Sequence, residues 1–249
     1  MSQHQNPVAL VTGGTTGIGL AAALLLQQRG HDVVVTGQNP DNLADAQRLL
    51  GEKAVVLKAD ARSVADAARV ATEIQRRFGR LDVAFLNAGV ARFAPLEAFD
   101  EAFYDDQLAV NVKGVLFQLQ KLVPLLGAGA SVILNTSVVN QKGIAGASVY
   151  SATKGALVAA LRALAVELAP KGIRVNAVSP GPIETPIYGK LGMPAEAVAG
   201  FKSGMTAQVP LGRFGTAAEV AEVVGFLASK GASYVTGVEV SVDGGLAAT

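Results

Sequence analysis

The segment from Val8 to Gly19 reads VALVTGGTTGIG, and it decides how the rest of the chain is interpreted. It begins with an apolar, β-branched run that predicts a buried strand, and the Ala- and Leu-rich stretch Leu20–Arg29 after it predicts a helix. The glycines between them mark a tight turn that leaves backbone N–H groups open to a phosphate at the helix N-terminus. The segment therefore predicts the strand, turn and helix that bind a dinucleotide.

Phosphate chemistry explains the glycines of this segment. Gly13, Gly17 and Gly19 keep backbone N–H groups open to a pyrophosphate, which a Cβ atom would obstruct. Their T-G-x-x-x-G-I-G spacing differs from the G-x-G-x-x-G pattern of many dinucleotide-binding proteins. The alternative interpretation is a tight βα turn that holds no ligand.

The alternation of strand and helix continues to the C-terminus. Short apolar runs rich in β-branched residues occur at Val8–Val11, Val33–Thr36, Ala54–Leu57, Val83–Leu86, Ser131–Asn135, Ile173–Val178 and Val238–Val240. Stretches of helical length lie between them at Leu20–Arg29, Leu43–Leu50, Val64–Phe78, Phe103–Leu126, Val149–Ala169 and Ala217–Ala228. This order predicts a single α/β domain over residues 1–249, with a doubly wound, Rossmann-like, seven-stranded parallel sheet covered by helices on both faces.

The stretch 182–208 interrupts this alternation. Glycines and prolines recur there between apolar side chains such as Ile187, Tyr188 and Phe201. This mixture predicts short helices that form a mobile lid over a hydrophobic ligand. The alternatives are a packed surface segment and a subunit contact.

Composition narrows the classes of function. The chain has 249 residues, of which 50% are hydrophobic and 16% charged, and its net charge is +1. This supports a substantial core and gives no reason to expect a nucleic acid or a membrane as partner. There are no cysteines, and the histidines, His4 and His31, lie in the N-terminal segment and in a loop, so neither thiol or histidine catalysis nor a metal site is predicted. Since no signal segment or long uninterrupted apolar stretch is found, the expected location is the cytoplasm.

A second motif, YSATK, occupies residues 150–154 and follows Ser137 by thirteen residues. A helix places Tyr150 and Lys154 on one face. A nearby ammonium lowers the pKa of a phenol, which is about 10 when free, so this pair predicts a proton-transfer site. A solvated helix face with one amphipathic pair would show the same spacing.

Further motifs accompany these two along the chain. They are, in order, the glycine-rich turn, Asp60, Asn87-Ala88-Gly89, Asn111 within NVKG, Ser137, Tyr150 with Lys154, Pro180-Gly181 and Thr185. With these residues the sequence resembles the short-chain dehydrogenase/reductase family over essentially its whole length. Within that family it is most similar to bacterial NADP-using secondary alcohol dehydrogenases. The resemblance implies an NAD(P)-dependent oxidoreductase that acts on an alcohol or a carbonyl group.

The resemblance also implies roles for these residues. In the reductive direction Tyr150 would donate a proton to the carbonyl oxygen, and Ser137 would hold that oxygen by a hydrogen bond. Lys154 would support ionisation of Tyr150 and bind the nicotinamide ribose, and Asn111 would kink its helix and position a water next to Lys154. The implied cofactor contacts are Gly13, Thr15, Thr16, Gly17, Ile18, Gly37, Gln38, Asn39, Asp60, Ala61, Asn87, Ala88, Gly89, Val110, Tyr150, Lys154, Pro180, Gly181, Ile183 and Thr185.

The choice of cofactor depends on the end of the second predicted strand. Gly37 stands where an NAD-specific member of the family would present an acid to the ribose 2′-hydroxyl. Without that acid a 2′-phosphate is not repelled, and Gln38, Asn39 and Thr15 offer hydrogen-bond donors. NADP is therefore the expected cofactor. Because Gln38 replaces the arginine common in similar NADP-using members, use of NAD stays open.

The expected substrate is a hydrophobic ketone or secondary alcohol, because the predicted pocket is mostly apolar. Its predicted lining is Val138, Val139, Gln141, Gly181, Tyr188, Met193, Phe201, Met205 and Gln208. The alternatives are a 3-oxoacyl-(acyl-carrier-protein) type ketoreductase, with Lys142, Lys190 and Lys202 as a docking patch, and an NAD-dependent polyol dehydrogenase. A non-enzymatic NADP-sensing regulatory protein is also open, although a sensor does not need the catalytic set.

The outer surfaces predict a homotetramer. Phe103–Leu126 and Val149–Ala169 carry apolar residues around more of their circumference than one sheet-facing stripe uses. The C-terminal run 233–245 would form an edge strand that is exposed unless it is paired. Two distinct two-fold contacts would cover both surfaces and generate a tetramer, as the resemblance also implies.

Overall fold

The computed structural model describes residues 6–186 and 195–249. Its strands are β1 (Val8–Thr12), β2 (Asp32–Gly37), β3 (Val55–Lys58), β4 (Leu81–Leu86), β5 (Leu126–Asn135), β6 (Arg174–Pro180), β7 (Ile183–Glu184), β8 (Gly215–Thr216) and β9 (Glu239–Val242). Seven of them form one sheet in the order β3-β2-β1-β4-β5-β6-β9, and each pairing in it is parallel. The predicted doubly wound seven-stranded sheet is confirmed. The short pair of β7 and β8 was not predicted.

Helices cover both faces of this sheet, as predicted. They are α1 (Gly17–Gln28), α2 (Pro40–Leu50), α3 (Val64–Phe78), α4 (Glu101–Leu108), α5 (Val115–Leu122), α6 (Ser148–Leu168), α7 (Ala195–Gln208) and α8 (Ala217–Ala228). One apolar core lies between the sheet and α3, α5 and α6, and a second lies between the opposite face and α1, α2 and α8. The sheet is thus buried on both sides, which explains its continuous apolar strands.

Local sequence accounts for helices such as α3. Its buried residues Ala67, Val70, Ala71 and Ile74 recur at the spacing of one helix face. The Ser63 side chain accepts a hydrogen bond from the backbone N–H of Asp66, and Gly79 ends the helix in the left-handed region. Its bounds are those predicted.

The prediction of one continuous helix over Phe103–Leu126 is wrong. It is divided into α4, a π-helical segment at Ala109–Gly114, and α5, and β5 already begins at Leu126. Pro124 lacks the N–H that would continue α5, so the chain passes through a 3-10 turn there. The glycine- and alanine-rich start of β5 has no apolar alternation, and its pairing with β4 begins at Leu81. Tertiary pairing therefore extends a strand that the local sequence does not indicate.

Helix α6 carries the YSATK motif. Together with the turn after it, through Lys171, it is long and apolar enough to cross a membrane by length and composition alone, a property that core helices of soluble proteins share. Here Leu157 and Leu161 are buried in the core against the sheet. One face of the helix is thus packed against the sheet.

Candidate active site

A cleft of about 380 Å³ lies at the carboxyl ends of the strands, where the strand order reverses between β1 and β4. The predicted cofactor residues that line it are Gly13, Thr15, Thr16, Gly17, Ile18, Gly37, Gln38, Asn39, Ala61, Asn87, Ala88, Gly89, Val110, Tyr150, Lys154 and Thr185. Pro180, Gly181 and Ile183 line the adjoining pocket described below, and Asp60 lies behind the cleft wall. The glycine-rich turn and the YSATK motif therefore meet in one cavity.

The glycine-rich turn has the conformation that a phosphate site requires. Gly13 and Gly17 adopt positive φ angles of 61° and 54°. A Cβ atom on Gly13 would lie 2.9 Å from the Cα of Ala88, so a larger residue would separate the turn from β4. In the described part of the chain no side chain caps the start of α1, and Thr16, Gly17 and Ile18 line the cleft. This uncapped, positive helix end fits a dinucleotide pyrophosphate.

Asn87 ties the turn to the neighbouring strands. Its amide donates hydrogen bonds to the carbonyls of Thr12 (3.0 Å) and Gly13 (3.1 Å), and its carbonyl accepts one from Asn135 (2.9 Å). The Thr12 hydroxyl accepts a hydrogen bond from the N–H of Ala88 (3.0 Å). Asn87 is therefore a structural link within the site, and its contact with the cofactor stays a prediction.

The end of the cleft beside β2 is crowded around Gly37. A Cβ atom there would lie 2.6 Å from the Thr15 methyl group, so the missing side chain makes room for Thr15. The Gln38 amide donates to Asp60 (3.1 Å), and the Asn39 carbonyl caps α2. The cap uses the carbonyl oxygen of the Asn39 side chain, so its NH₂ group remains as a donor for a phosphate.

Charged residues that no sequence motif indicated, Arg62, Arg92 and Asp106, also line this cleft. Asp106 pairs with Arg62 (2.8 Å) and with Arg92 (3.1 Å), and Arg62 also pairs with Asp60 (3.0 Å). Burial opposes ionisation of Asp60, but the hydrogen bonds from Arg62 hold the pKa of Asp60 below its usual range. These residues come from two separate loops and from α4, so no local spacing connects all of them.

Tyr150 and Lys154 lie together on α6, as predicted. The Lys154 Nζ atom is 5.6 Å from the centre of the Tyr150 ring and donates a hydrogen bond to the carbonyl of Asn135 (2.7 Å). Burial lowers the pKa of Lys154 to about 8. Burial also raises the pKa of Tyr150 to about 12, against the lowering effect of its hydrogen bond with Ser137. Burial thus leaves the pKa of Tyr150 above its ordinary value, contrary to the lowering that the spacing predicted, and the support of its ionisation by Lys154 stays a prediction.

Ser137 lies at the turn after β5. It precedes a 3-10 helix, Val138–Asn140, and its hydroxyl accepts a long hydrogen bond of 3.5 Å from the N–H of Val139. Ser137 and Tyr150 line the same pocket, so a substrate oxygen there can contact both hydroxyl groups.

Asn111 is fully buried within the π-helical segment, which agrees with the expected distortion of its helix. Its side chain accepts a hydrogen bond from the N–H of Val90 (2.8 Å) and donates to the carbonyl of the same residue (2.8 Å) and to the Thr153 hydroxyl (3.0 Å). A Cβ atom on Gly89 would lie 3.2 Å from Asn111 Oδ1 and 3.6 Å from Lys154 Nζ. Gly89 thus allows Asn111 and Lys154 to approach each other, and the water predicted between them stays a prediction.

A second pocket of about 130 Å³ adjoins the cleft at Tyr150. It contains the predicted Val138, Val139, Gly181, Phe201 and Met205 and also Ser137. Gln141 and Gln208 were wrongly placed in it: Gln141 donates to Glu239, and Gln208 is exposed and donates to the carbonyl of Gly204. Tyr188 and Met193 lie outside the described residues.

The sequence analysis missed the aromatic wall of this pocket. The Phe93 ring lies 6.2 Å from that of Tyr150 and 5.9 Å, edge to face, from that of Phe201. Ala91 and Ile144 complete the apolar lining. Phe93 lies a few residues after the Asn87-Ala88-Gly89 motif, and this proximity was the only sequence feature that could have indicated its place in the site.

The cleft meets the apolar pocket at Tyr150, which is partly buried, beside the buried Ser137 and Lys154. This arrangement defines a nicotinamide-dependent oxidoreductase site. A family model described as enoyl-(acyl carrier protein) reductase matches residues 13–247. The chain belongs to the short-chain dehydrogenase/reductase family, whose members use NAD or NADP and act on alcohol or keto groups.

Relatives cover nearly the whole chain. The sequence is 38% identical to the 3-oxoacyl-(acyl-carrier-protein) reductase of Thermotoga maritima, over 97% of this chain and 98% of that protein. It is also 38% identical to cis-4-hydroxycyclohexanecarboxylate dehydrogenase of Sinomonas cyclohexanicum, over 97% and 96%.

Solved structures agree with this assignment. A short-chain dehydrogenase/reductase from Brucella melitensis superimposes with a TM-score of 0.91 at 34% identity, covering 98% of both chains. The 3-ketoacyl-(acyl-carrier-protein) reductase of that organism, in complex with NADH, does so with a TM-score of 0.89 at 29% identity, covering 97% of this chain and 98% of that one.

Proposed function

We propose that this enzyme reduces a hydrophobic ketone to a secondary alcohol, and catalyses the reverse reaction, with NADP(H) as the preferred cofactor, in the cytoplasm. The observation that carries this proposal is the position of Tyr150, which lines both the cofactor cleft and the apolar pocket. A substrate carbonyl in the pocket can therefore contact Tyr150 and Ser137 beside the cleft.

Each catalytic residue has a chemical task in this scheme. The bound cofactor supplies hydride. Tyr150 donates its phenolic proton to the carbonyl oxygen, and Ser137 donates a hydrogen bond to the same oxygen. Lys154 holds the nicotinamide ribose and places a positive charge near the phenol, which favours the phenolate that remains after proton donation. Asn111 holds the loop at Val90 and the helix turn at Thr153 in place around Lys154.

The lining of the pocket supports a hydrophobic substrate. Among the described residues that line it, none is charged, and its wall is formed by Phe93, Phe201, Val138, Val139 and Met205. A phosphorylated sugar would need convergent cations, which this lining does not offer. An aromatic or alicyclic ketone fits the two phenyl rings best. We expect α7, which carries Phe201 and Met205, to act as the lid over this substrate.

An acyl-carrier-protein substrate is the second candidate, because the Thermotoga maritima relative is named for that activity. The predicted docking lysines support it poorly. Lys142 donates to the hydroxyl of Thr249 (3.0 Å), and Lys202 pairs with Glu184 (2.7 Å). Lys190 lies outside the described residues.

A substrate panel separates these candidates. We expect the purified enzyme to oxidise NADPH, followed by its absorbance, with aryl and alicyclic ketones, and to be slower with a 3-oxoacyl thioester and slowest with a ketose. The Tyr150→Phe variant gives the background rate of NADPH oxidation. Turnover of the thioester alone would favour an acyl-carrier-protein ketoreductase. Oxidation of a polyol with NAD that is faster than ketone reduction would favour a polyol dehydrogenase. No turnover with any substrate would favour an NADP sensor.

Cofactor preference is expected to reverse when an acid replaces Gly37. Because a Cβ atom there would strike the Thr15 side chain, the acid is best introduced together with Thr15→Ala. Gly37→Asp/Thr15→Ala should shift the ratio of kcat/KM for NADPH and NADH toward NADH by roughly tenfold to a hundredfold relative to Gly37→Asn/Thr15→Ala, which has nearly the same bulk without the charge. Gln38→Arg should shift the ratio the other way. If the wild type already prefers NADH, our interpretation of Gly37 is wrong.

We expect a homotetramer in solution. Large apolar side chains are exposed on α4 and α5 (Tyr104, Leu116 and Phe117) and beside β9 (Tyr234 and Val238). In the described part of the chain β9 pairs only with β6, so the other edge of β9 is open. Light scattering at micromolar concentration should give about four times the chain mass of 25.4 kDa. A stable monomer would contradict the assignment of these faces as subunit contacts.

A further inference from the structure

The carboxylate of Glu239 is hydrogen-bonded to both ends of the turn that carries Ser137. Its Oε1 atom accepts a hydrogen bond from the amide of Asn140 (2.7 Å) and lies 2.5 Å from the hydroxyl oxygen of Thr136, whose single proton is shared with the carbonyl of Val178 (2.8 Å). Its Oε2 atom accepts one from the amide of Gln141 (3.0 Å). Thr136 directly precedes Ser137, and Asn140 and Gln141 end the short helix that follows it. One side chain therefore holds both ends of the turn.

The sheet brings Glu239 to this turn from a distant part of the chain. Glu239 begins β9 and pairs with Ala177 of β6, while Val178 of β6 pairs with Asn135 at the end of β5. The N–H of Thr136 continues this pairing by donating to the carbonyl of Val178 (2.9 Å). The parallel register thus sets Glu239 one strand away from the Ser137 turn.

The turn is also held by its own backbone, because the N–H of Asn140 donates to the carbonyl of Ser137 (3.1 Å) and the N–H of Gln141 donates to the carbonyl of Val138 (2.9 Å). The 3-10 helix Val138–Asn140 is only one turn long, and such helices have weak hydrogen-bond geometry. The hydrogen bond between Ser137 and the N–H of Val139 is at the distance limit, 3.5 Å. Hydrogen bonds to a carboxylate are stronger than those between neutral groups, so the contacts with Glu239 add the strongest side-chain restraint to this turn.

We infer that Glu239 is a positioning residue that fixes the Ser137 hydroxyl against Tyr150, an inference that rests on the proposed function of Ser137. Among the described residues Glu239 does not line the substrate pocket, whereas Thr136 and Ser137 do. Glu239 therefore acts on the reaction through the turn and does not touch the substrate. Loss of its carboxylate lets the Ser137 hydroxyl leave the point where it meets the substrate oxygen, and small displacements of such groups slow catalysis.

A double-mutant cycle tests this inference. Glu239→Ala is expected to lower kcat for ketone reduction about tenfold, with the dissociation constant for NADPH and the melting temperature close to those of the wild type. In a Ser137→Ala background the same substitution should change kcat by less than about twofold, because the group that it positions is gone. Glu239→Gln, which keeps the length and one acceptor oxygen, should recover part of the lost activity. Glu222→Ala, which removes a carboxylate from an exposed ion pair with Arg29, is the matched control and should have no effect.

The outcomes separate the two proposals. If Ser137→Ala is fully active, the proposed function of Ser137 fails and the inference on Glu239 fails with it. If Ser137→Ala is impaired but Glu239→Ala is not, or if Glu239→Ala lowers kcat equally in both backgrounds, the positioning role alone is overturned. Should Glu239→Ala not fold, Thr136→Val and Asn140→Ala, which each remove one donor to the carboxylate, must give the same non-additive loss with Ser137→Ala for the inference to hold.

Discussion

Replacement of Tyr150 by Phe is expected to lower kcat for ketone reduction by about 10²–10⁴-fold, the usual effect of removing a general acid. The phenol is the group that lies at the meeting point of the cofactor cleft and the apolar pocket. Its pKa of about 12 keeps it protonated at neutral pH, so it is ready to donate. The measurement is NADPH oxidation with the best ketone of the substrate panel.

The control for this variant is Tyr104→Phe, which changes an exposed tyrosine on α4 and should leave kcat unchanged. Affinity for NADPH, measured by fluorescence titration, should be nearly intact in Tyr150→Phe, since only one hydroxyl is removed. If reductase activity stays within about tenfold of the wild type, Tyr150 is not the acid.

Replacement of Lys154 by Met is expected to damage both turnover and cofactor binding, because one ammonium serves the phenol and the nicotinamide ribose. We expect kcat to fall about 100-fold and the dissociation constant for NADPH to rise about tenfold, which corresponds to about 1.4 kcal/mol of binding free energy. Lys53→Met, which changes an exposed lysine, is the matched control. Unchanged affinity for NADPH in Lys154→Met would contradict the ribose contact.

The wild type and the Lys154→Met variant should also differ in how their free energy of unfolding depends on pH. The pKa of Lys154 is about 8 in the folded protein and 10.5 in the unfolded chain. Between these values the unfolded lysine binds a proton that the folded one has lost, so this group makes stability rise with pH. The free energy of unfolding of the wild type, relative to Lys154→Met, should therefore increase by about 3 kcal/mol from below pH 8 to above pH 10.5. Urea denaturation across this range measures it, and a constant difference would contradict the lowered pKa.

Local sequence was sufficient for the parts of this protein that depend on neighbours along the chain. The strand, glycine turn and helix at Val8–Gln28 follow from a buried run, left-handed glycines and an uncapped helix start, and α3 was predicted with its bounds. Tyr150 and Lys154 share a face of α6 because helix geometry alone puts them there. The ends of β4 and β5 were predicted correctly at Leu86 and Asn135, whereas the other predicted strand ends of the main sheet fall one or two residues short.

What the sequence by itself determined is therefore the order of strands and helices, the phosphate-binding turn and the residues of the catalytic motif. Only the tertiary structure decided the environment of those residues. Burial raises the pKa of Tyr150, whereas the spacing alone predicted the opposite. The pairing of Asp106 with Arg62 and Arg92, the contact of Phe93 with Phe201, and the bonds from Glu239 to the Ser137 turn join residues that are far apart in sequence. Such contacts arise when the sheet brings distant loops to one edge, and desolvation depends on everything that packs there, so neither can be deduced from spacing along the chain.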